Sequence, residues 1–520
     1  MTAPIFRFNQ QRDDLVQTVV ERVVAEARDP VLLLNDAAYH ELRRLDAAGK
    51  DSSRWRKLAR SLGGLDHHAA RQRLRELADE HARDVDGNFD PRVYAFASRV
   101  LPVGLSILLR PQVLKERGLG DVLRGNALAE RIRTSGPIDR IQRLAERGTV
   151  VYVPTHLSNL DSPVFAYALE SARLPPVTYG AGKNLFTNPI LSFFMRNLGA
   201  YRVDRRLRHE LYKLVLKAYS CILIERGFHS LFFPGGTRSR SGGVERKLKL
   251  GLAGTGLEAF IRTGQRVFFV PATINYMLTL EAETLIDDHL KDAGKARYII
   301  EDDESTRLGR ITQLVNQLAH MEGSCAVRFG EPVDPFGNVV DDRGESYDRQ
   351  GRQVDPRSYV VGDDGQVRQD GNRDGQYTRE LGEVAMEQYL RDTVAMTTHV
   401  VATAAFSRLR AAHGGKDLFA LVRRADETIV PRADMLTEIE GVQARLADLD
   451  RRGAIQLSTA VRGATASELL GEAERALNGY HANPVLHTQG EGVALLDPKV
   501  LLYYQNRLAN HGVGWIGGVR

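Results

Sequence analysis

A chain of 520 residues is longer than one ordinary domain, so two or three hydrophobic cores are expected. Apolar residues make up 43% and charged residues 26%, the balance of a soluble globular protein rather than of a disordered or membrane-embedded chain. The net charge of +5, carried mostly by arginine, suits phosphate ligands or an anionic membrane surface and is too mild to argue for nucleic acid. Of the two cysteines, Cys221 lies in an apolar helical pattern and neither has metal-ligand spacing, so a reducing compartment and no structural disulfide are expected. The N-terminus shows no signal peptide. No uncharged run approaches the roughly 20 residues that span a bilayer, so membrane contact is expected to be peripheral.

Residues 1–135 read as a helical N-terminal region. Leu15, Val16, Val19, Val20, Val23 and Val24 recur at helical spacing, and Asp29-Pro30 ends that helix. Further helical patterns cover 31–48, 53–62 and 66–83, followed by a turn at Asp86–Pro91. The pair His67-His68 sits on a charged face without a third ligand, and no metal role is assigned to it. Val100–Leu109 is apolar, interrupted by Pro102 and Gly104, and flanked by Arg99, Arg110, Lys115, Arg117 and Arg124. It is either a buried core helix or an apolar patch that dips into the headgroup region.

From 136 to 335 the pattern alternates. Strands are expected at 149–154, 177–181, 199–204, 229–234, 266–271 and 324–329, with helices at 160–173, 187–197, 207–227, 249–263 and 306–320. Such alternation predicts an α/β domain with a mixed, largely parallel sheet and flanking helices. In these sheets the ligand lies beyond the carboxyl ends of the strands. Residues 336–378 form a polar insert dense in Asp-Gly turn signals, read as small hairpins. Calcium is not assigned there, because no stretch has regular ligand spacing closed by a Glu. Residues 379–520 read as a helical C-terminal region, with an apolar face from Leu381 to Phe406, a helical hairpin over 434–478 and a last helix at 499–504.

Four blocks follow strand ends in the α/β region. The first, His156-x-Ser158-x-x-Asp161, pairs an imidazole with a carboxylate five positions on. A neutral imidazole so paired takes a proton from an alcohol at neutral pH, while the carboxylate fixes its tautomer; the plainer reading is helix capping by Asn159 or Asp161. The second block is Gly199-Ala-Tyr-Arg202-Val-Asp204-Arg205. The third is Phe232-Phe-Pro-Gly235-Gly236-Thr237-Arg238-Ser239-Arg240-Ser241-Gly242. The fourth is Val270-Pro271-Ala-Thr-Ile-Asn-Tyr276. Glycines let backbone approach an anion, and arginine forks match phosphate oxygens in pairs. Arginines 202, 205, 238 and 240, all just past apolar strands, therefore point to an anion site.

Together these blocks resemble the glycerolipid acyltransferase family over about residues 130–335. The HxxxxD block, the Gly-to-Arg block, the Pro-x-Gly-Thr-Arg-Ser-Arg block and the Val-Pro block stand in the family's order. Val153–Asp161, Ala181–Asn184, Arg196–Ala200, Leu211-Tyr212 and Glu225–Phe228 look most like the glycerol-3-phosphate acyltransferase branch, as do the long helical extensions. The resemblance implies that His156 is the general base and Asp161 its orienting partner. It implies that Arg205 and Arg238 clamp phosphate, with Lys183, Arg202 and Arg240 as further candidates, and that a donor near Ser158 or in the Gly235-Gly236-Thr237 loop meets the acceptor or the oxyanion. It implies acyl transfer from acyl-CoA or acyl-carrier protein to glycerol 3-phosphate without metal or organic cofactor, in phospholipid synthesis on the inner face of the cell membrane. Lysophosphatidate or dihydroxyacetone phosphate are the alternative acceptors, and a non-catalytic lipid- or phosphate-binding protein or a thioesterase-like hydrolase the alternative classes. The chain departs from the family at Gly235, where the family has Glu. Restoring Glu there is expected to raise activity.

Overall fold

In the computed structural model, residues 3–109, 132–183, 186, 189–293, 325–362, 364–414, 418–422 and 428–515 are described. Lys115, Arg117, Arg124 and the helix expected at 306–320 lie outside them.

The N-terminal helices fall where periodicity puts them: Arg12–Glu26, Pro30–Ala47, Ser53–Ser61 and His67–Val85. Their boundaries have identifiable causes. Asp29 caps the second helix by accepting from Leu32 N–H at 2.9 Å, with Pro30 at its first position. Asp66 caps the fourth through Ala69 N–H at 2.7 Å. Leu15, Val19, Leu74 and Leu77 pack with Leu211, Val215 and Tyr219 of the helix Glu210–Glu225, so this bundle is docked on the α/β layer. Pro91–Leu109 is one continuous helix; Pro102 and Gly104 do not end it. No helix among the described residues is long and apolar enough to cross a membrane.

The central sheet has seven strands: β1 (Ile132–Ser135), β2 (Thr149–Pro154), β3 (Thr178–Gly182), β4 (Ala200–Val203), β5 (Ser230–Leu231), β6 (Val267–Tyr276) and β7 (Cys325–Phe329). Their spatial order is β1-β7-β6-β2-β5-β3-β4. Strands β2 to β6 are mutually parallel, β7 runs antiparallel to β6, and β1 is parallel to β7. The five parallel strands therefore open their carboxyl ends along one edge, and the segments after β2, β3, β4, β5 and β6 meet there.

Three details differ from the sequence reading. β5 has only two residues, because Pro234 has no N–H to extend the ladder after Phe232. β6 runs ten residues, straight through Pro271. Phe269 exchanges hydrogen bonds with Val333 and Pro271 accepts from Gly330 N–H at 2.7 Å, so the missing donor falls where pairing passes from Val333 to β7. β1, with Ile132 as its one apolar residue, carries too little pattern to be read at all.

From just before the insert into it, Asp334, Asp341 and Asp348 recur every seven residues, each followed three positions on by a glycine at φ +83, +83 and +77. Each Asp accepts backbone N–H groups from two and four residues ahead, at 2.8–3.0 Å. The carboxylates thus build the hairpin turns themselves.

The C-terminal region is not only helical. Thr428–Pro431, Leu486–Gln489 and Gly492–Leu495 form an antiparallel sheet beside the helices, and the expected 434–478 hairpin is the pair Arg432–Arg451 and Ala466–Tyr480. The helices Thr397–Ala412 and Pro498–Ala509 are largely buried and share one continuous hydrophobic cluster with β2, β6 and β7.

Candidate active site

β2 is buried along its whole length and delivers His156 two residues past its end. The chain then turns into the helix Asp161–Ser171, which places Asp161 at the first turn, facing back. His156 Nδ1 lies 2.7 Å from Asp161 Oδ2. The same oxygen accepts the N–H groups of Leu157 at 2.6 Å and Ser158 at 3.0 Å. Tyr276, the last residue of β6, donates to Oδ1 at 2.8 Å. Asp161 is fully buried and the His156 side chain 18% exposed. Four donors thus hold one carboxylate, so the Asp161 rotamer and the imidazole tautomer are fixed together. With Nδ1 on Asp161, the neutral ring's basic nitrogen is Nε2. Phe233 stacks on the ring with centroids 4.3 Å apart.

A second carboxylate, not foreseen from the sequence, ties this turn to the glycine-arginine loop. Glu281, buried just after β6, accepts from Ser158 Oγ at 2.9 Å and Asn159 N–H at 3.0 Å, and pairs with Arg238 at 3.1 Å. Burial pushes its carboxyl pKa up, against the pull of Arg238 and the two hydrogen bonds. Both Ser158 donors have partners in the structure: its N–H donates to Asp161 and its hydroxyl to Glu281. Gly235 and Thr237, on the loop after β5, donate to no acceptor among the described residues.

The five candidate cations separate into groups. Lys183 contacts Asp84 of the N-terminal bundle at 2.8 Å, and Arg202 lies 3.9 Å from the same carboxylate. Arg240 pairs with Asp292. Arg205 forms no ion pair among the described residues, and its guanidinium pKa is pushed down by desolvation and by the positive charge of Arg238. Arg205 thus stands partly desolvated near Arg238, whose own charge is met by Glu281.

Gly235 bears on one expectation. A Cβ built there would stand 2.6 Å from Glu245 Oε1, so a carboxylate already occupies the space that a side chain at 235 would enter. Glu245 and Glu281 both lie outside the four blocks, in segments with no local signal; their roles come from chain reversals that bring them under His156.

An α/β domain that sets a buried carboxylate on a histidine, beside an arginine-lined loop at the carboxyl edge of its parallel strands, has the layout of an acyltransferase domain. Residues 137–275 match the family model for acyltransferases. A glycerol-3-phosphate acyltransferase of Pseudomonas paraeruginosa is 32% identical over 210 residues, covering 40% of this chain and 24% of that protein. One from Pseudomonas fluorescens strain SBW25 is 32% identical over 198 residues, covering 38% and 22%. The crystal structure of the 1-acyl-sn-glycerophosphate acyltransferase of Thermotoga maritima aligns over 47% of this chain and 83% of its own, with a TM-score of 0.25 and 19% identity. Residues 137–275 are thus an acyltransferase domain, similar to the corresponding part of these glycerol-3-phosphate acyltransferases. The match spans about a quarter of the length of the curated relatives.

Proposed function

We propose that the chain transfers a fatty acyl group from a thioester, acyl-CoA or acyl-carrier protein, to the 1-hydroxyl of glycerol 3-phosphate. The observation that carries this reading is the His156–Asp161–Tyr276 arrangement opening on the same edge as Arg205 and Arg238. The Pseudomonas relatives, named as glycerol-3-phosphate acyltransferases, favour this acceptor over other glycerol phosphates.

In this reading the acceptor phosphate sits on Arg205 and Arg238, which directs its hydroxyl to His156. Nε2 takes the hydroxyl proton as the oxygen attacks the thioester carbonyl, and Asp161 stabilises the imidazolium that forms. The oxyanion is met by donors such as the N–H groups of Gly235 and Thr237. The intermediate collapses, the C–S bond breaks, and the imidazolium returns its proton to the leaving thiolate. The thioester is already activated, so no metal or organic cofactor enters.

Radiolabelled acyl transfer tests this with glycerol 3-phosphate, lysophosphatidate, dihydroxyacetone phosphate and no acceptor. Glycerol 3-phosphate should give the highest kcat/KM, and His156→Ala should lower it by about 10²–10⁴-fold. Equal rates for the two proteins would remove His156 as the base. Binding without transfer would make the chain a phosphate- or lipid-binding relative, and acid release without acceptor would make it a hydrolase.

A peripheral position on the inner face of the cell membrane is part of the proposal. Phe96 and Val100 on the helix Pro91–Leu109 and Phe193 on the neighbouring helix Pro189–Asn197 are exposed, among Arg92, Arg99 and Arg196. Phe96 stacks on Phe194, joining the two helices into one apolar surface. Co-sedimentation with anionic vesicles at low salt should pellet the protein, and Phe96→Ser with Phe193→Ser should leave it in solution. Wild-type protein that stays in the supernatant overturns this placement.

A further inference from the structure

The loop that follows β5 turns back and grips the main chain of His156 from both sides. Ser239 N–H donates to the His156 carbonyl at 2.8 Å. His156 N–H donates to Glu245 Oε1 at 2.8 Å. The far arm of the loop is anchored where Glu245 leaves it: Val244 is buried against Ala385 and Tyr389, and its carbonyl accepts from Asn510 Nδ2 at 3.2 Å. Glu245 Oε2 is buried with no hydrogen-bond partner. Burial pushes the carboxyl pKa up to about 8, with Asp161 acting in the same sense and the His156 N–H and Arg507 opposing. Tyr389 also feels this charge, and the stem of Lys249 runs against the adjacent Gly236.

Gly235 faces the same carboxylate. Besides the 2.6 Å approach to Oε1, a Cβ there would lie 2.8 Å from Cδ of Glu245. Gly235 is not among the glycines with left-handed φ, so its backbone would accept any residue, and what a side chain there would have to displace is the Glu245 carboxylate.

We propose that Glu245 is a positioning residue: its carboxylate fills the place a side chain at 235 would take, and from there fixes the main chain of His156, so residues 235 and 245 are coupled. The kinetic part of the test rests on the acyl-transfer reading; the other two parts need no substrate.

The first part is a double-mutant cycle of Gly235→Glu, Glu245→Ala and the pair, followed by thermal unfolding and initial rates. Gly235→Glu alone should lower Tm and reduce kcat/KM by roughly 10²-fold, while Glu245→Ala should lower kcat by roughly tenfold with little change in KM. The double variant should recover Tm and come back to within roughly fivefold of wild type. A double variant no more stable and no more active than Gly235→Glu shows that the two residues do not share a place, and overturns the proposal.

The second part uses Glu245→Gln, which keeps the shape. In protein labelled with 15N-histidine, with the His156 amide assigned by its loss in His156→Ala, that amide should shift in Glu245→Gln and shift further in Glu245→Ala, which removes its acceptor. A His156 amide resonance at the same position in all three proteins overturns the proposal. If wild type transfers no acyl group, the functional reading fails while the stability cycle and the amide shifts still decide this one.

Discussion

At the residue scale the site turns on Asp161. Its carboxylate holds four donors at once, from His156, Leu157, Ser158 and Tyr276, while fully buried. Such a group orients the base and fixes its tautomer, and an amide in its place does neither: Asn has one carbonyl oxygen for these donors and presents an NH₂ to the rest. Asp161→Asn should therefore lower kcat by about 10²–10⁴-fold while the KM of the acceptor moves little, since the phosphate is held elsewhere. Steady-state rates at fixed thioester check this; a variant that keeps kcat and loses only KM would make Asp161 a binding group. The sequence made His156 and Asp161 legible because both lie in one six-residue turn. Tyr276, Glu245 and Glu281 reach the same turn from 84 to 125 positions along the chain, and no local pattern records a meeting made by tertiary folding. The arginines show the converse limit. Five cations were legible as a group, but which keep a carboxylate partner depends on Asp84, Glu281 and Asp292, residues of other elements.

At the scale of elements, the helix Pro498–Ala509 forms the back wall of the site. Asp497 caps it through the N–H groups of Lys499 and Val500, both at 3.0 Å, with Pro498 at its first position. From it Tyr504 accepts Thr279 N–H at 3.1 Å, Arg507 donates to Ile274 and Asn275 at the end of β6, and Asn506 Nδ2 holds the Ser241 carbonyl at 2.9 Å. The glycine-arginine loop meets this helix at Gly242, which has φ +79 and whose added Cβ would stand 2.3 Å from the Tyr503 carbonyl oxygen. Two independent requirements thus fall on one residue. Gly242→Ala should destabilise the fold by roughly 2–4 kcal/mol and loosen the loop that carries Arg238. Denaturant unfolding reads the first effect and the KM for glycerol 3-phosphate the second. A variant of wild-type stability would mean that the helix yields. The contact was not legible beforehand: Gly242 read as the end of the third block and the last helix as part of a separate C-terminal region, and their 261-residue separation in sequence hides that they touch.

For the molecule as a whole, the α/β layer and the C-terminal helices behave as one body in packing. Phe329 of β7 and Ile274 of β6 belong to the same buried cluster as Val400, Phe406 and Leu501. The N-terminal helices build a second cluster, which joins the rest through the helix Glu210–Glu225. The sequence made the regions visible by their different periodicities, 3.6 at both ends and alternating in the middle. Periodicity shows which face of an element is apolar, not which other face covers it, so the shared core could not be read from it. The packing sets an expectation for unfolding. Removing a large buried side chain from a core typically costs 3–5 kcal/mol, and every segment sharing that core feels the loss. Phe329→Ala in the sheet and Phe406→Ala in the C-terminal helices should therefore lower the midpoint of the same calorimetric transition, by comparable amounts. Leu74→Ala in the N-terminal bundle should act on that transition only as far as the helix Glu210–Glu225 couples the two clusters. If Phe406→Ala instead moved a separate transition and left the one shifted by Phe329→Ala in place, the C-terminal helices would be an independent folding unit. Their contacts behind β6 and the glycine-arginine loop would then be a docking contact rather than part of the core.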